Sequence, residues 1–191
     1  MTQIVKAGFA LTGSFCTHER VLSVMEAMQN TGFALTPILS FNAGRLDTRF
    51  GTAKALRERL EKICGCPPID TIEAAEPIGP KRMFDVLVVA PCTGNTIAKL
   101  ANAITDTPVT MAVKSHLRSE RPVVIAVSTN DALSGSAANI GTLLNRRHYY
   151  FVPMKQDAPQ AKPCSLVAEM EQLPETIEAA LAGCQLQPLF C

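Results

Sequence analysis

Apolar positions along this chain follow two periods. Unbroken runs at 4–11 (IVKAGFAL), 33–40 (FALTPILS), 85–90 (DVLVVA) and 122–127 (PVVIAV) predict strands buried on both faces. Between them the apolar residues recur at helical spacing. Val21, Leu22, Met25 and Met28 form one stripe, entered past Thr17 as a cap and left at Gly32, which suits a left-handed turn. Ala55, Leu56, Leu60 and Ile63 form a second over 52–63, with Lys54, Arg57, Glu58, Arg59 and Glu61 outside. Helices also follow at 96–103, 109–117 and from Leu133 to Leu144. Short strands are expected at 71–74 and 149–152, inside and after less regular stretches. Pro37 inside the second run predicts an edge strand or a bulge. Residues 153–165 read as a loop or flap and 166–183 as a C-terminal helix.

Strands alternating with helices predict an α/β fold: a doubly wound, mainly parallel sheet with helices on both faces, the Rossmann or flavodoxin-like three-layer arrangement, in a single domain over 1–191. Ligands of such sheets sit beyond the carboxyl ends of the strands, where the strand order reverses. Four strand ends here run into small polar turns: Thr12-Gly13-Ser14, Ser40-Phe41-Asn42, Pro91-Cys92-Thr93-Gly94-Asn95-Thr96 and Ser128-Thr129-Asn130-Asp131. The third opens a helix, whose first N–H groups lack helical acceptors and whose dipole favours an anion. Paired with Thr12–Ser14, it points to a phosphate-bearing ligand. Neither GxGxxG nor GxxxxGK[ST] is present.

Composition narrows the chemistry. With 47% hydrophobic and 18% charged residues and a net charge of +1, the chain carries no basic surface suited to nucleic acid or anionic membrane. No apolar run approaches the roughly 18 residues of a membrane span, and the first residues lack a signal-peptide pattern, so a cytoplasmic location is expected. The seven cysteines are then reduced thiols, and no zinc spacing is evident. Cys92 reads as a small buried thiol, His18 as a neutral histidine near the ligand, and His116 and His148 as surface groups at helix ends. No Ser–His–Asp order or HExxH motif identifies a catalytic residue. Arg45, Arg49 and Lys114, in loops or at element ends, are candidates to meet a carboxylate substrate.

Thr12-Gly13-Ser14 and the Pro91–Lys99 stretch resemble the FMN-containing cysteine decarboxylases of the flavoprotein family, whose loop there reads Pro-Ala-Ser-Ala-Asn-Thr. A closer resemblance, carried by Ala75–Pro80, Ala90–Thr96, Thr107–Ala112, Ser128–Ala132, Tyr150–Pro153 and Lys162–Ser165, is to the B subunits of dipicolinate synthase in spore-forming bacteria. It implies one component of a two-part oxidoreductase, active only with its partner, the A subunit of dipicolinate synthase, which carries NADP. It also implies a homo-oligomer, and a dihydro- or hydroxytetrahydro-dipicolinate substrate. Carried over by position, the FMN site comprises Thr12, Gly13, Ser14, Ser40, Thr93, Gly94, Asn95 and Thr96, with Asn130 near the flavin ring; a bare phosphate suits the same nest. The decarboxylases use a histidine before the central strand, and this chain has none between Ala55 and Asp85. A cysteinyl decarboxylase and a non-catalytic activating component are the alternatives.

Overall fold

The structure, a computed structural model, describes residues 4–191. Strand β1 (Val5–Leu11) leads through a 3-10 turn at Phe15–Thr17 into α1 (His18–Gln29), then β2 (Phe33–Leu39). Short α2 (Phe41–Arg45), α3 (Ala53–Cys64) and α4 (Ile72–Ala75) precede β3 (Val86–Cys92). Then come α5 (Gly94–Ala101), α6 (Pro108–Leu117), β4 (Val123–Thr129), α7 (Ala137–Leu144), β5 (Tyr149–Phe151), β6 (Met154–Lys155), β7 (Leu166–Ala168) and α8 (Leu173–Leu181).

The sheet order is β2-β1-β3-β4-β7-β6, with β5 also paired to β4. Strands β2, β1, β3, β4 and β5 are parallel, whereas β7 runs antiparallel to β4 and β6. The doubly wound expectation holds, and β2 is the edge strand that Pro37 called for. Alternation along each strand divides the core. Val86, Val88 and Ala90 face a layer built by Val21 and Met25 of α1, Leu60 of α3 and Ile177 of α8. Leu87 and Val89 face the other, built by Ile97 of α5, Val109 and Val113 of α6 and Ile140 of α7. Both sides being buried, β3 has no exposed position, which is why Val86 to Ala90 read as an unbroken apolar run.

Three expectations are corrected. Residues 71–74 begin a helical turn, not a strand: the Thr71 hydroxyl accepts the Ala74 N–H at 3.2 Å, capping a segment too short and too alanine-rich to prefer extension. Residues 166–168, expected to open the last helix, pair as a strand with Ser128–Thr129. The helix itself starts at Leu173, with Pro174 in its first turn, where a missing N–H costs nothing. Thr17 makes no capping bond through its side chain; its hydroxyl meets that of Ser128 instead, at 2.9 Å.

Because β1 neighbours β2 on one side and β3 on the other, the direction of winding reverses there. The turns that leave β1 and β3 therefore face each other across the switch point, with the end of β4 beside them.

Candidate functional site

Side-chain hydroxyls bind these strand ends into one unit. The Thr12 hydroxyl donates to the Pro91 carbonyl at 2.7 Å and accepts the Thr93 N–H at 3.1 Å, tying the exit of β1 to that of β3. Ser14 donates to the Ser128 carbonyl at 2.6 Å, tying the same loop to β4. His18, only 8% exposed, lies under the loop with Nε2 2.7 Å from the Thr12 carbonyl oxygen. A carbonyl only accepts, so Nε2 carries the hydrogen. Burial holds the His18 pKa below its ordinary value, against the smaller opposing effect of that bond, and the ring is neutral at pH 7.

Above this frame opens a cleft of about 810 Å³. Thr93 caps α5, its hydroxyl accepting the Thr96 N–H at 3.3 Å. The N–H groups of Gly94 and Asn95 precede it in the first turn and have no helical acceptor. Both residues line the cleft, with Gly13 and Ser14 opposite. On the β4 side the Asp131 carboxylate accepts from the hydroxyls of Thr129 and Ser136. That knot presses on Gly94: a Cβ there would lie 2.6 Å from Ser136 Oγ, 2.8 Å from Asp131 Oδ1 and 2.9 Å from Thr129 Oγ1. This is the physical reason for glycine where the decarboxylase loop has alanine.

Of the residues expected from sequence, Gly13, Ser14, Thr93, Gly94, Asn95 and Asn130 line this cleft together. Thr12 is buried behind it as a clamp, and Thr96 is likewise buried, its hydroxyl 3.1 Å from that of Thr93. Ser40 caps α2 through the Ala43 N–H and does not line the cleft. Among the carboxylate-binding candidates, Arg45 stacks on Phe41 at 4.4 Å and Arg49 on Phe50 at 4.8 Å, the Phe50 ring lying on the cleft wall. Lys114 lines a different, apolar groove between α5 and α6.

Sequence reasoning missed Arg20 and Lys162, the two cations that do line the cleft. Arg20 is bound to Glu169 at 3.1 Å and to Glu171; Lys162 pairs with Asp157 at 3.0 Å. Arg20 follows Thr17 by three residues, so it rises from the first helical turn beside the loop. That spacing is a readable signal; the position of Lys162 has none. Cys92 is fully buried and its thiol pKa is driven well up by desolvation, which rules it out as a nucleophile at neutral pH. His116 is not a surface group. It is 1% exposed, its Nε2 is 3.1 Å from the Pro122 carbonyl oxygen, and burial pulls its pKa down to about 4. Among the described residues no cluster of three or more His, Cys, Asp or Glu is placed to hold a metal ion, and no helix is long and apolar enough to cross a membrane.

The comparisons with known proteins agree with this geometry. Residues 1–173 match the family model described as Flavoprotein. The chain belongs to the Flavoprotein family. It is 46% identical over 97% of its length, and 92% of the relative's, to the B subunit of dipicolinate synthase from Bacillus subtilis (strain 168). The crystal structure of the corresponding B subunit from Bacillus halodurans C superposes with a TM-score of 0.91 at 46% identity, covering 99% of this chain and 97% of that one. More distant structures share the fold. Burkholderia xenovorans DmrB, solved in complex with FMN, has a TM-score of 0.69 at 18% identity, covering 95% of this chain and 98% of that one. The FMN-dependent cysteine decarboxylase SpaF has a TM-score of 0.67 at 20% identity, covering 95% and 97%.

Proposed function

We propose that this chain is the B subunit of a dipicolinate synthase, an oxidoreductase component that binds FMN in the cleft and works with an A subunit carrying NADP. The observation that supports it most is 46% identity along nearly the whole length of two such proteins. The cleft suits the cofactor. A phosphate needs convergent N–H donors, and Gly94 and Asn95 offer the first turn of α5 for it, the neighbouring Asp131 carboxylate being taken up by the Thr129 and Ser136 hydroxyls. Gly13 leaves the approach open: a Cβ there would touch Phe15, Asn42 and Thr93 at 3.8–3.9 Å, so the protein's own packing does not require glycine. Thr93 and Ser14 line the same cleft, and Asn130, on its β4 side, is assigned to the ring. Bound there, the flavin supplies hydride acceptance.

The chain's own groups do the rest. The hydroxyl clamps of Thr12 and Ser14 hold the two loops at a fixed separation, so the cradle is formed before any ligand arrives. Phe50, Asp157 and Lys162 add to the cleft wall. The protein is proposed to assemble as a homo-oligomer, in keeping with relatives described as a dodecamer and a cubic cage. The test is reconstitution. Purified chain should take up FMN and, with the A subunit plus NADP, raise dipicolinate formation above that of the partner by itself. A protein that binds no FMN removes the cofactor assignment, and no gain in dipicolinate removes the synthase assignment.

A further inference from the structure

A smaller chamber of about 190 Å³ adjoins the cleft and shares Phe15, Cys16 and Phe50 with it. Its walls are mostly apolar, formed by Leu22 of α1, Ala43 of α2, Leu46 just beyond α2, and Leu56 of α3. One end is the start of α3, where Thr52 caps the helix through the Ala55 N–H and Asp47 takes the Ala53 N–H at 2.9 Å. His18 also lines it, more than nine-tenths buried. With Nε2–H committed to the Thr12 carbonyl, its Nδ1 is a bare lone pair. That nitrogen has no hydrogen-bond partner among the described residues, and it is not one of the unpartnered atoms sealed from solvent. A side chain with an uncommitted basic nitrogen is thus fixed in one tautomer at the wall of a mostly apolar chamber beside the cleft. Nothing in the packing uses its lone pair.

We propose that this chamber receives the ring of a hydroxylated, partly reduced cyclic dicarboxylate, and that His18 Nδ1 is the base that takes its ring proton. The inference rests on the synthase reading. In the step, Nδ1 removes hydrogen from the ring carbon next to the one bearing hydroxyl. The C–H electron pair becomes a ring C=C bond, the C–O bond breaks, and the departing hydroxide takes up the proton from the imidazolium, so one water leaves and no oxidant is needed. Arg59, though it lines the chamber, is already held by Glu19 and Glu26. Arg49, stacked on the chamber-lining Phe50 ring and in no ion pair among the described residues, is assigned to a substrate carboxylate. Burial keeps His18 unprotonated at neutral pH. The other titratable groups facing it across the chamber are Cys16 and Glu19 on its own side and Arg59 from α3.

The test uses the full chain with FMN, the A subunit, and dipicolinate itself as a binding probe. His18→Gln keeps an N–H for the Thr12 carbonyl but has no basic nitrogen. It should lower kcat of the complex by about 100-fold or more, leave FMN affinity unchanged, and erase the acidic limb of kcat/KM. Leu56→Phe, which fills the chamber, should weaken calorimetric binding of dipicolinate about tenfold with FMN affinity unchanged. In wild type, dipicolinate should shift the His18 Nδ1 nitrogen resonance, a readout that holds even if the glutamine variant folds poorly. Normal turnover by the His18→Gln complex, or an unmoved resonance, overturns this assignment alone. A wild-type complex that forms no dipicolinate overturns it together with the synthase reading.

Discussion

Two glycines in the same cleft should respond to alanine in opposite ways. At Gly13 an added methyl meets nothing closer than 3.8 Å, and the residue does not adopt a positive φ. Folding should therefore tolerate Gly13→Ala, with stability unchanged or raised by about 0.4–1 kcal/mol through a stiffer unfolded chain. The methyl would nonetheless stand between Asn42 and Thr93, in the throat proposed for the phosphate at the α5 N-terminus. Displacing one charge-assisted hydrogen bond costs about 1.5–3 kcal/mol, which is about a 10- to 100-fold loss of FMN affinity. At Gly94 the methyl would meet three polar oxygens at 2.6–2.9 Å. Overpacking of that kind costs about 1–3 kcal/mol, of which better helix propensity returns under about 1 kcal/mol. Urea denaturation measures the first difference and flavin fluorescence titration the second. Riboflavin, which lacks the phosphate, is the control: it should bind wild type and Gly13→Ala alike. If Gly13→Ala binds FMN as tightly as wild type, the assignment of the phosphate to this throat is wrong; if it proves less stable than Gly94→Ala, the packing argument is wrong.

Thr12→Val keeps the shape but strips the Thr93 N–H and the Pro91 carbonyl of their partner; it should cost about 1–3 kcal/mol in urea denaturation, and an unchanged midpoint would remove the clamp. Stability should fall between pH 7 and pH 5. His116 has a folded pKa of about 4 against 6.5 unfolded, so the unfolded chain binds more protons as pH drops below 6.5. The loss at pH 5 is about 2 kcal/mol, His18 adds to it in the same direction, and a His116→Gln variant should flatten the slope. In thiol labelling of the native protein, Cys92 should stay unreactive while exposed Cys16 reacts, and FMN should slow Cys16 because it lines the cleft; equal rates with and without FMN would count against occupancy there.

The layering and the polar turns that line the cleft were legible because both are written locally. A strand buried on two faces has no polar residue to interrupt it, so Val86 to Ala90 declares itself. A helix start must satisfy its own orphan donors within three residues, so Thr93 to Thr96 does too. Reading failed where a role depends on distant chain. The Thr12 hydroxyl, read from sequence as a ligand group, is bonded to Pro91 and Thr93 far along the chain and so ties two strand ends together. Nothing near 166–168 says that those residues will find Ser128–Thr129, and without that pairing the segment reads as the start of a helix. His116 ends a helix in sequence but is roofed by the chain leading into β4.

The same distinction separates the two ends of the site. Phosphate is recognised by backbone geometry, which one strand–turn–helix supplies by itself. A substrate ring needs a chamber, and the one proposed for it is assembled from α1, α2, α3 and the loop carrying Phe50, elements joined only by the fold. His18 belongs to both. Its Nε2 steadies the loop that the sequence reveals, through a bond six residues long in the chain. Its Nδ1 meets a space that only tertiary packing creates. A family that varies its chemistry can therefore keep the first function in a short motif while moving the second, which is consistent with a chain that lacks a histidine between Ala55 and Asp85 and has one under the first loop.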